Sequence, residues 1–153
     1  MNKNRAAMRE SPAPAPALIL GIGGLVPFVG LAGMIRFGSE AWHGYSLMAL
    51  SCYGAVILAF VGALHWAYAV KKAAPQSGAW LQYGFSVAPA LLAWVSLLIS
   101  VRTALQLQAA GLIMCYVFDR GMVRNDLLPI WFMQLRALLT AIGAASLTIA
   151  SWV

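Results

Sequence analysis

From Leu47 to Val70 the chain runs twenty-four residues without one Asp, Glu, Lys or Arg. A helix needs about 20 apolar residues to cross about 30 Å of hydrocarbon. Only a helix or a closed barrel satisfies every backbone group there. This stretch reads as a membrane-spanning helix, and the feature recurs along the chain. Ala17 to Ile35, about Tyr83 to Val101, and about Ile130 to Val153 are apolar runs of similar kind. A shorter one, Thr103 to Phe118, lies between Arg102 and Asp119 and contains Gln106 and Gln108. Its sixteen residues reach only about 24 Å, so Arg102 must snorkel for it to span. The fold expected is all-α, an integral membrane bundle of five transmembrane helices over about 17–35, 47–70, 83–101, 103–118 and 130–153.

Composition agrees with that reading. Charged residues make up 9% of the chain and hydrophobic ones 62%, at a mean hydropathy of +0.81. A soluble domain carries about 25% charged residues, so this chain has too few to coat a wet surface. With 153 residues there is room for one domain, 17–153. Ahead of it Met1 to Pro16 is polar and basic and ends in alternating Pro, which reads as a disordered tail. The net charge of +6 forms no basic stripe among aromatics, which argues against nucleic acid as a partner. The partners expected are the lipid bilayer and other membrane-protein subunits.

The charge sets orientation instead. With five spans, one side holds Lys3, Arg5, Arg9, Lys71, Lys72, Arg120 and Arg124, and the other Arg36 and Arg102. The positive-inside bias then puts the N-terminus in the cytoplasm and the C-terminus outside. Trp42, Trp80, Trp131 and Trp152 fall near span ends, where amphipathic rings favour the interface.

Much chemistry is excluded by what is missing. The acids are Glu10, Glu40, Asp119 and Asp126, none deep in a span, so there is no carboxylate pair for acid–base work. His43 and His65 lie about 33 Å apart along one helix and cannot share a haem or metal. His-Glu-x-x-His and Gly-x-Ser-x-Gly are absent. Gly21-Ile-Gly-Gly lacks the strand and soluble helix of a nucleotide loop and reads as helix packing. Cys52 and Cys115 fall in opposite leaflets, too far apart for a disulfide. No catalytic residue, metal or cofactor is expected, and the chain reads as no enzyme.

Two residues resist that dismissal. His65 sits about six residues from the Lys71 end of the second span, and Arg136 about five residues inside the fifth. With helices antiparallel, both fall at similar depth. A charge held in a span costs about 2.5–3.5 kcal/mol on insertion scales, and Asp119 is the acid close enough to compensate it. Trp66, Tyr83 and Ser86 lie at comparable depth, so the candidate buried polar site is His65, Trp66, Tyr83, Ser86, Asp119 and Arg136. Gly24, Gly62 and Gly143 read as packing positions, and Pro27 and Pro89 as kinks.

Four segments carry a resemblance. Gly24-Leu-Val-Pro-Phe28, Tyr53 to Trp66, Ser86 to Trp94 and Leu128 to Thr140 occur in the order found in the family of mitochondrial transmembrane protein 69 and its bacterial relatives. This chain resembles that family from about Leu20 to Ala145. The resemblance implies a multi-pass protein of an energy-coupling membrane, the bacterial inner (cytoplasmic) membrane or the mitochondrial inner membrane, and it implies no activity. Some relatives carry Arg where this chain has His65, which argues against a haem or metal ligand there. The reading that ranks first is a non-catalytic accessory, assembly or scaffold component of a membrane complex. The second is a small carrier of an anion, proton or lipid using a cytoplasm-facing His65/Arg136 site. A quinone- or haem-binding redox protein ranks last.

Overall fold

The computed structural model describes residues 12–72, 79–123 and 129–153. The basic tail with Lys3, Arg5 and Arg9, and the loop residues Arg124 and Asp126, lie outside the described residues. The described chain forms a helical membrane bundle. Its elements are α1 (Ala15–Gly23), α2 (Val26–Phe37), α3 (Glu40–Lys72), α4 (Ala79–Ser96), α5 (Val101–Val123) and α6 (Ile130–Ser151). Four stretches are long and apolar enough to cross a bilayer: Ala15–Phe37, Glu40–Ala67, Val101–Gly121 and Ile130–Ser151.

Several expected boundaries move. The first span is two helices rather than one kinked helix, and it begins at Ala15, inside the expected tail. Pro27 sits in the first turn of α2, where its missing N–H breaks no bond, so the chain interrupts at Gly24 and Leu25 instead of bending mid-helix. The Tyr53 hydroxyl of α3 donates to the Gly24 carbonyl at 2.8 Å, serving the backbone exposed by that break. Its ring meets Phe28 edge-on, with centroids 5.0 Å apart.

The short fourth run, 103–118, proves to be the 23-residue helix α5. It is lengthened at both ends, by Val101 and Arg102 and by Asp119 to Val123. A polar or charged side chain does not end a helix when its backbone can go on bonding and its head finds a partner. The third run moves the other way: α4 covers Ala79–Ser96, and the chain turns at Leu97–Ser100 rather than continuing to Val101. With 18 residues that include Gln82, Gly84, Ser86 and Pro89, α4 is not among the four long apolar stretches.

α3, about 50 Å long for its 33 residues, is the axis of the bundle. It packs against α2, α4, α5 and α6, while α5 pairs closely with α6. Missing side chains set how near these axes come. A Cβ on Gly62 would strike the Pro89 ring at 2.8 Å, so the two expected packing residues prove to be each other's partner between α3 and α4. On α5, a Cβ at Gly111 would meet Leu58 at 2.8 Å. Gly143 is buried against Phe28. Leu50, Leu58, Leu105 and Leu147 fill the centre at 0% exposure. Trp42, Trp80 and Trp152 are exposed at helix ends, as an interfacial belt requires.

Candidate functional site

His65, Asp119 and Arg136 come from α3, α5 and α6 and meet inside the bundle. They are buried to 1%, 3% and 6% exposure. Helical spacing explains the placement. Val61, at i−4, and Ala69, at i+4, share the face of His65, and both are buried; Thr140 and Gly143 share that of Arg136 and are buried too. Small neighbours let the axes approach, and the long polar side chains bridge the remainder.

The Asp119 carboxylate is the hub. Arg136 donates to its Oδ2 from Nε at 2.8 Å and from Nη2 at 2.6 Å. His65 Nε2 lies 2.8 Å from Oδ1. The ring N–H is poorly aligned with that oxygen, so the contact acts through charge and proximity more than as a directed hydrogen bond. The other ring nitrogen, Nδ1, faces the Gly62 carbonyl at 3.2 Å. Phe85 and Phe118 stack on each other, with centroids 3.7 Å apart, and both present themselves edge-on to the imidazole. The ions are thus walled by apolar rings, where removing one partner costs about 3–5 kcal/mol.

Three other expected members stay outside this cluster. Trp66 and Tyr83 pack edge-on against each other at 4.8 Å, and Trp66 is 49% exposed. Neither donates to the triad among the described residues. Ser86 is buried but returns its hydroxyl to the Tyr83 carbonyl of its own helix at 2.6 Å. Similar depth put these three near the site, but depth leaves the azimuth on each helix open.

A second polar cluster was not singled out by sequence. Gln108 of α5, at 0% exposure, donates to Ser96 of α4 at 2.9 Å and to Ser51 of α3 at 3.3 Å. Its carboxamide oxygen has no partner among the described residues and packs against Gly54, where a Cβ would collide with it. The signal was present in the sequence, as an amide inside an apolar run, and was read there only as weakening the span.

An apolar cavity of about 290 Å³ lies between the α1–α2 break, α3 and α6, and Arg136 and Thr140 line it. Among the described residues no three His, Cys, Asp or Glu gather closely enough to hold a metal ion. Cys52 is exposed and Cys115 buried, and both are free thiols.

No solved structure matches this chain. Curated relatives do, two of them called Transmembrane protein 69. The one from Xenopus tropicalis is 36% identical over 137 residues, covering 88% of this chain and 53% of its own length. The one from Mus musculus is 26% identical over 143 residues, covering 90% and 56%. The chain therefore spans about half the length of these relatives. Residues 13–152 match the family described as "Protein of unknown function (DUF3429)". That span takes in every described helix and the whole triad, and the chain belongs to the DUF3429 family of membrane proteins.

Proposed function

We propose that this chain is a non-catalytic accessory, assembly or scaffold component of a larger complex in the bacterial inner membrane, or in its mitochondrial counterpart. The proposal includes five crossings, α1–α2 counting as one, with the N-terminus cytoplasmic and the C-terminus outside. The observation that carries it is a contrast between glycines. Gly54, Gly62 and Gly111 are filled to contact by neighbouring helices of the same chain. Gly23, Gly30 and Gly33, along α1 and α2, would have nothing within 4 Å of an added Cβ. In lipid, small residues are the means by which helix axes approach. A glycine face left open on the edge of the bundle suits a helix from another subunit. The triad supports the same role: its acid is shared between two basic groups, and it ties three helices into one rigid body.

Purification in mild detergent followed by mass spectrometry tests the reading. A stoichiometric membrane partner is expected, and Gly30→Leu should release it while leaving the bundle folded. A chain that runs alone, or a Gly30→Leu variant that keeps every partner, would overturn it. Labelling of a cysteine placed at Ser11 and of a C-terminal tag should report opposite sides of the membrane; the same side for both would remove one crossing.

A further inference from the structure

The cavity lies beside the triad and shares Arg136 with it. Its walls are apolar, with Phe28, Phe60 and Phe132 among them, and it runs from α6 toward Leu112 of α5. Phe60 is 62% exposed, so the cavity opens on the flank of the bundle, toward lipid, and is not sealed inside. Within this apolar lining stand two polar side chains one turn apart on α6, Arg136 and Thr140, at 6% and 7% exposure.

Both have hydrogen-bonding capacity left over. Arg136 gives Nε and Nη2 to Asp119, and no hydrogen bond among the described residues uses Nη1. The Thr140 hydroxyl has no partner among the described residues, although a helical threonine ordinarily returns its hydroxyl to its own backbone. Thr148, two turns on, does so, donating to the Ala144 carbonyl at 2.8 Å. Neither atom is sealed among protein atoms, and both residues line the same cavity, so two donors left over there point to a missing acceptor.

We propose that the cavity binds one acyl chain of a membrane lipid, with the carboxyl or ester oxygens held between Arg136 Nη1 and the Thr140 hydroxyl. The volume is at the small end of ligand pockets, roughly 300–1,000 Å³, which suits one narrow chain and excludes a bulky ring cofactor. Asp119 already offsets the charge of Arg136, so the head need only accept hydrogen bonds and need not be multiply charged. A free fatty acid and a phospholipid ester both present this chemistry. The inference is independent of the scaffold reading, since a lone chain or a subunit could equally hold a lipid.

Titration of the purified full chain with cis-parinaric acid, whose fluorescence rises in apolar sites, tests it. Saturable binding of one molecule per chain is expected. Thr140→Val keeps the shape and removes the hydroxyl, and should weaken binding about 3- to 10-fold, the worth of one hydrogen bond. Ile57→Trp should fill the cavity and abolish the signal while the melting temperature stays within a few degrees. Displacement by lysophosphatidylcholine would identify an ester as the natural head; resistance to it would identify a free carboxylate. A linear, unsaturable signal would overturn the proposal, as would undiminished affinity in Thr140→Val or displacement by an isoprenoid quinone alone.

Discussion

The bundle holds two buried polar clusters about 21 Å apart along α3, and they are built from different materials. Toward Lys72, two basic side chains converge on one carboxylate and are walled by stacked phenylalanines. Toward Glu40, a neutral carboxamide links two serines. Each cluster joins three helices, so their connectivity is alike and their energetics are not. In the first, the buried Arg136 and Asp119 depend on each other for charge neutralisation. In the second, no charge is at stake: Ser96 also donates to the Ala93 carbonyl at 2.7 Å, and the side-chain oxygen of Gln108 has no partner among the described residues. The charged cluster is a clamp that fails as a unit, and the neutral one a set of separable bonds.

The contrast breaks first at Asp119. Asp119→Ala should cost about 3–5 kcal/mol by leaving Arg136 uncompensated among apolar groups, read as a large drop in melting temperature in detergent. Arg136→Ala should cost a similar amount, and the double variant much less than the two together. If the losses simply added, the residues would not be acting as one unit. Arg136→Lys should recover only part of the loss, because the two bonds to Oδ2 come from a planar fork that an ammonium lacks.

Next in size is the packing that lets the clamp close. Gly62→Ala should cost about 1–3 kcal/mol, since the Pro89 ring opposite cannot swing aside. It should also disturb the His65 contact, because Gly62 carries the carbonyl that Nδ1 faces. A neutral outcome would mean that α4 floats on α3 and that the close approach is incidental.

The neutral cluster should yield least. Gln108→Leu is expected to cost no more than about 0.6 kcal/mol, the mean worth of a polar contact between membrane helices. It also removes an unpaired oxygen, which offsets part of that loss. An effect as large as that of Asp119→Ala would erase the distinction between clamp and separable bonds.

The first cluster was legible in part before any coordinates. An arginine inside an apolar run calls for compensation, and the sequence offers Asp119 as the acid in reach, beside lipid phosphate and freed carbonyls. His65 lies on the uninterrupted helix α3, so counting from Lys71 gives its height along that helix. Trp66, Tyr83 and Ser86 were grouped with it on depth, and the structure turns them elsewhere. Gln108 was missed because a neutral amide carries no obligatory partner, so nothing in the sequence asks where its bonds go.

Apolar run lengths and the scarcity of charge determined that this chain is a bundle of membrane helices, because lipid leaves the backbone only a helix or a closed barrel and runs of about 20 apolar residues have the length of a spanning helix. Pro27 marked the first run as one that a straight helix could not fill, and the structure turned the expected kink into a break. The tertiary structure decided which helix faces meet. Asp119 lies 54 residues from His65 and 17 from Arg136, and the 3.6-residue period fixes which side chains share a face without naming the face opposite. That choice belongs to the packing of Gly62 on Pro89 and of Gly111 on Leu58. It also left a cavity beside Arg136 whose shape no single helix contains.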